Sequence, residues 1–80
     1  MITFRLFGSA RAAAGAGELT VPAGPTREVV DTLASRLPPR FADILVISSL
    51  VADGRRLDAT SEAGLPDGTV VDVLPPFAGG

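Results

Sequence analysis

Eighty residues suffice for one small domain, and 46% hydrophobic with 20% charged side chains is a globular composition rather than a disordered one. The chain has no cysteine and no histidine, which excludes a disulfide framework, a thiolate nucleophile, a Cys/His zinc site and a histidine-based triad. Seven basic residues, all arginine, against nine acidic ones give a net charge of −2; this argues against nonspecific nucleic-acid binding, and the acids are too scattered for a carboxylate metal site.

Residues 2–7 alternate, with Ile2, Phe4 and Leu6 on one side and Thr3, Arg5 and Phe7 on the other, which predicts a half-buried strand. Residues 8–17 are a connector rich in alanine and glycine, long enough for one helical turn around Ala10 to Ala14. Alternation resumes over 18–22, where Leu19 and Val21 share a side and close a hairpin with the first strand. Ala23-Gly24-Pro25 breaks the strand, and Thr26 is the expected N-cap of a helix with Glu28 in its first turn. Val29, Val30, Leu33, Ala34 and Leu37 then recur at helical spacing as one apolar stripe. Pro38-Pro39 ends it, because proline disfavours helical geometry at the residue before it.

Residues 40–47 are a candidate short second helix with Phe41, Ile44 and Leu45 inward. Residues 49–52 read as a strand, Asp53-Gly54 as a tight turn and 55–57 as a short return strand whose Arg55-Arg56 tip is solvated. After a loop over 58–64, Leu65-Pro66-Asp67-Gly68 forms a turn that inserts Leu65 into the core. The last strand, 69–74, sets Val71 and Val73 on one face and Val70, Asp72 and Leu74 on the other. The order predicts an α+β architecture of the β-grasp, ubiquitin-like kind: a mixed sheet of four to five strands wrapped around one long helix. Its terminal strands are expected to lie parallel, with residues 1–74 as the domain and 75–80 as an extended C-terminal tail.

That tail reads Pro75-Pro76-Phe77-Ala78-Gly79-Gly80. Asp72 is the last charged side chain, so the segment can enter an apolar cleft without desolvating an ion. The two prolines fix φ near −65° and favour extended geometry, and six residues reach about 20 Å. A Gly-Gly end threads a narrow channel and presents an unhindered α-carboxylate, a poor acyl electrophile until something activates it. Phe7, on the polar side of its strand, and Phe77 are expected to form an exposed apolar patch at one end of the sheet. With no lysine, the chain carries no ε-amine to act as acceptor. The N-terminus has no basic region followed by an apolar one, and the longest apolar stretch, 44–52, is interrupted by Ser48-Ser49 and too short for a bilayer. No membrane association and a cytoplasmic location are expected.

Leu6-Phe7-Gly8-Ser9-Ala10-Arg11, Leu65-Pro66-Asp67-Gly68 and Val73-Leu74-Pro75-Pro76-Phe77-Ala78-Gly79-Gly80 together resemble the MoaD/ThiS family of sulfur-carrier proteins over the whole chain, most closely its molybdopterin-synthase branch. The long 8–17 connector and the Pro-Pro-x-x-Gly-Gly ending favour that branch over the thiamin-type carriers. The chain departs from the family where many members read Val-Asn and it has Val51-Ala52-Asp53-Gly54. The resemblance implies that a ubiquitin-activator-like adenylyltransferase uses ATP to adenylate Gly80, which then becomes a thiocarboxylate. The chain itself would bind no cofactor and no metal, and would not be an enzyme alone. Gly79, Ala78, Phe77, Pro76 and Pro75 would thread the tail into a large molybdopterin synthase subunit or another sulfur-acceptor enzyme, and Phe7 and Arg11 would face these partners. A carrier for thiamin, cysteine or secondary-metabolite sulfur, a ubiquitin-like modifier, and a plain interaction domain with an incidental tail are the alternative readings.

Overall fold

Alternating apolar residues at both ends of the chain build the middle of the sheet. The computed structural model describes residues 1–76. Its elements in chain order are β1 (Ile2–Leu6), α1 (Gly8–Ala14), β2 (Glu18–Val21), α2 (Thr26–Ser35), α3 (Pro39–Ile47), β3 (Ser49–Ala52), β4 (Arg55–Arg56) and β5 (Val70–Leu74). The strands form one mixed sheet in the order β2-β1-β5-β3-β4. The terminal strands β1 and β5 are parallel neighbours, as expected, and every other pairing is antiparallel. The β-grasp expectation holds.

One face of this sheet carries the core. Ile2, Phe4 and Leu6 of β1, Val71 and Val73 of β5, and Leu50 of β3 are buried against Val29 and Leu33 of α2, Phe41 of α3 and Ala10 of α1. The helical layer is richer than one long helix. α2 has ten residues, α3 has nine, and α3 packs against both α1 and α2. The connector between β1 and β2 holds two turns of helix rather than one, bracketed by Gly8 at φ 51° and Gly15 at φ 72°. Both values are left-handed, a conformation glycine adopts without a Cβ penalty. Gly8 therefore lets the extended chain at Phe7 turn directly into α1.

Thr26 does not cap α2. It is the first helical residue, Pro25 stands at the cap position, and the Thr26 hydroxyl donates to the Ala63 carbonyl at 2.8 Å. The Ala63 carbonyl also accepts the Thr26 N–H at 2.8 Å, and the Ser61 carbonyl accepts the Arg27 N–H at 2.9 Å. The 58–64 loop thus satisfies donors that a side-chain cap would otherwise take. Asp58 braces that loop by accepting from the Thr60 N–H and hydroxyl, and these two bonds hold its carboxyl below the usual range.

The remaining turns follow their residue types. Asp53 and Gly54, at φ 52° and 74°, make the two-residue hairpin turn between β3 and β4. Leu65 is half-buried against the core. The Met1 ammonium pairs with Asp67, and the Met1 carbonyl accepts the Gly68 N–H at 2.9 Å, which ties the chain start to the turn before β5. β5 ends at Leu74, followed by Pro75 and Pro76. The roles expected of Phe77, Ala78, Gly79 and Gly80 lie outside the described residues. Among the described residues, no helix is long and apolar enough to cross a membrane.

Candidate functional site

Parallel pairing of β1 and β5 decides where the site lies. Thr3, Phe4, Arg5 and Leu6 stand opposite Val70, Val71, Asp72 and Val73, so the two strands finish at the same end of the sheet. One further step in that register sets Phe7 opposite Leu74. Both are exposed, Phe7 by 41% and Leu74 by 38%, and both belong to the face turned away from the helices. Pro75 and Pro76 follow directly, the first half-buried and the second exposed. The tail therefore leaves the fold beside an apolar surface instead of from a free edge.

Phe7 and Arg11 come together because Phe7 is the cap residue of α1. Its backbone is extended, at φ −124° and ψ 158°, and its carbonyl accepts the N–H groups of Ala10 at 3.0 Å and Arg11 at 3.2 Å. Arg11 sits one turn into the helix, exposed, and its guanidinium lies over Gly17. Among the described residues it makes no ion pair. The predicted partner residues Phe7 and Arg11 thus occupy one end of the molecule with Pro75 and Pro76.

Further along the open face, Arg5 grips Asp72 with two bonds, Nε to Oδ1 at 2.6 Å and Nη2 to Oδ2 at 2.9 Å. The Asp72 hydrogen bond, reinforced by its charge, raises the Arg5 guanidinium above its ordinary pKa. The pair locks β1 to β5 and neutralises the two charges of these strands on the open face. On the other flank Ser49 pairs with Leu74 and its hydroxyl accepts from Arg56 Nη2 at 3.2 Å. Ile47, two residues before Ser49, is 61% exposed.

Strand alternation marks Phe7 and resemblance marks Arg11, while Leu74 as a member of this surface went unmarked. The signal for Leu74 was present: alternation put it on the open face, and parallel terminal strands bring it opposite Phe7.

Among the described residues every buried side-chain polar atom has a hydrogen-bond partner, and no cluster of three acidic side chains that could hold a metal ion is present. A cavity of about 370 Å³ between α2, α3 and the β3–β4 hairpin is lined mainly by apolar side chains such as Val30, Leu45 and Leu57. Ser48, Arg56 and Asp58 on its rim already bond within the chain. What the arrangement offers is a docking surface around an outgoing tail.

No protein-family profile and no curated protein matches the chain. Solved structures do. SAMP1 from Haloferax volcanii superposes with a TM-score of 0.80 at 16% identity, covering 99% of this chain and 98% of that one. A chain of the BexX/CysO complex from Amycolatopsis orientalis gives 0.77 at 19% identity, with both chains covered completely. A chain of the complex of subunits 1 and 2 of molybdopterin-converting factor from Helicobacter pylori gives 0.68 at 19% identity, covering 99% and 97%. At these identities the likeness shows the fold, and the fold shared is the β-grasp fold.

Proposed function

We propose that the chain is a sulfur carrier of the molybdopterin type. Its Gly80 carboxylate is adenylated by a ubiquitin-activator-like enzyme that spends ATP and releases pyrophosphate. The outer sulfur of a protein persulfide then attacks the acyl carbon and AMP leaves; a second thiol of the donor or activating protein attacks the sulfur–sulfur bond of the resulting acyl disulfide, forming a disulfide there and releasing a Gly80 thiocarboxylate. The loaded tail, led by Phe77, Ala78 and Gly79, enters a large synthase subunit and gives its sulfur to a cyclic pterin. The chain is a cosubstrate acting in the cytoplasm, and the partner enzymes supply the acid–base chemistry.

The observation that carries this reading is the shared exit of β1 and β5. It delivers Pro75 beside Phe7, Leu74 and Arg11, so one surface can be gripped while the tail is inserted. The α1 segment between β1 and β2 and the Pro-Pro-x-x-Gly-Gly ending favour the molybdopterin assignment. The test is incubation with an activating enzyme, ATP and a sulfur donor, followed by intact mass. A gain equal to replacing one oxygen by sulfur is expected. Adducts on lysines of other proteins would identify a modifier instead, and an unchanged mass would leave the tail incidental. Transfer to a purified large synthase subunit distinguishes molybdopterin from thiamin, cysteine or secondary-metabolite pathways.

Docking has its own test. Phe7 is 41% exposed and stands outside the core cluster, so Phe7→Ala should leave Tm within a few degrees of the parent chain. As an aromatic anchor at the centre of the surface, it should cost about 2 kcal/mol in binding, roughly 30-fold in Kd for the activating enzyme. Unchanged affinity would remove Phe7 from the interface.

A further inference from the structure

The structure assigns Gly17 as the positioning residue for Arg11, an inference that rests on the reading of Arg11 as a partner-facing residue. A Cβ built on Gly17 would meet Arg11 Cζ at 3.1 Å, Nη1 at 3.2 Å and Nε at 3.4 Å. The central carbon is nearest and the two nitrogens are almost as close. A point approached in that way lies over the face of the guanidinium, not at its edge. The group is therefore stacked flat on the bare backbone of Gly17.

That orientation has a chemical consequence. All five guanidinium N–H groups lie in its plane, so seating one face on Gly17 leaves the hydrogen-bonding fork directed along the surface. The fork is the part that takes a carboxylate with two parallel bonds. Holding it in place also lowers the rotamer entropy that Arg11 loses when a partner carboxylate binds. The surrounding notch, about 410 Å³, is lined otherwise only by Gly8, Ala12, Gly15 and Ala16, so no side chain longer than a methyl group obstructs an approaching acidic residue.

Gly17 is not required for its own backbone conformation, since its φ lies outside the left-handed range that Gly15 occupies. Alanine at 17 is accommodated by the main chain, and the only group it displaces is the free end of a flexible side chain. The substitution thus separates seating from folding.

The experiment is a double-mutant cycle on docking to the organism's adenylating enzyme, with Kd and the salt dependence of the on-rate read for the parent, Arg11→Ala, Gly17→Ala and the double variant. Arg11→Ala should weaken docking about tenfold and flatten the salt dependence. Gly17→Ala should weaken it on the order of threefold to tenfold with Tm unchanged, and should add nothing once Arg11 is absent. Independent, additive losses, or a silent Gly17→Ala beside an effective Arg11→Ala, would overturn the seat. A silent Arg11→Ala would overturn the partner-facing reading of Arg11 and the seat with it, while leaving the sulfur-loading test untouched.

Discussion

A chain ending at Gly79 should take up no sulfur, yet melt at the same temperature as the full chain. The truncated end carries the same kind of carboxylate with the same intrinsic reactivity, so any loss is one of position. Removing one residue withdraws the acyl carbon by about 3.5 Å. A misplacement of only 1 Å can cost about 100-fold when reacting atoms must be held in line, so withdrawal by a whole residue should abolish adenylation. The folded domain has no stake in the change: the core ends with Val73, and Pro76 is already exposed. Gly80→Ala should fail in a milder way, because the carboxylate stays at its proper reach while a methyl group enters the channel. The measurements are intact mass after incubation with activating enzyme, ATP and sulfur donor, and a thermal melt of each variant. Loading of the Gly79 end at the parental rate would show that the tail is not read by length, and a fall in Tm of several degrees would show that it is structural.

The sheet and its polarity were legible in the sequence because Thr3 and Arg5 alternate with Ile2, Phe4 and Leu6, and Asp72 between Val71 and Val73 fixes the faces of the last strand. Once those two segments are the terminal strands of a β-grasp fold, their parallel pairing and the end from which the tail departs follow. The helices were harder. Residues 8–17 are so rich in alanine and glycine that no apolar stripe stands out, and only Ala10 and Ala13 turn inward, so the pattern understates the length of α1. Thr26 had the residue type of a cap, but the cap role is decided by whichever carbonyls reach the helix start. Here they come from Ser61 and Ala63, about 35 residues downstream, a contact no local rule contains. The contact between Arg11 and Gly17 was hidden because it depends on how the chain reverses at Gly15, which brings the bend before β2 against the flank of α1. Phe7 stood out as an aromatic on the polar side of its strand and Arg11 through resemblance, and their placement at one end of the sheet follows from the fold. The threading roles of Phe77 and Ala78 lie outside the described residues.

Phe4→Ala should come close to unfolding the domain, and it separates two ways of losing function. Phe4 is fully buried on β1, between Leu19 of β2 and Val71 of β5 in register, and its ring is among the largest side chains in the core. Truncating such a residue costs about 3–5 kcal/mol through lost transfer energy and the cavity left behind. At about 0.05–0.15 kcal/mol per residue, an 80-residue chain has roughly 4–12 kcal/mol in all. For a domain of this size Tm should drop by at least about 12 °C, and the urea midpoint should fall with its slope unchanged. β1 is also the strand that holds Phe7 at its end and β5 at its side, so sulfur loading should decline in parallel with the folded fraction and recover at low temperature. Phe7→Ala, by contrast, should impair docking at every temperature with the fold intact. A Phe4→Ala chain that lost less than about 1 kcal/mol would mean that β1 does not organise the core, and the surface at its C-terminal end would need another support.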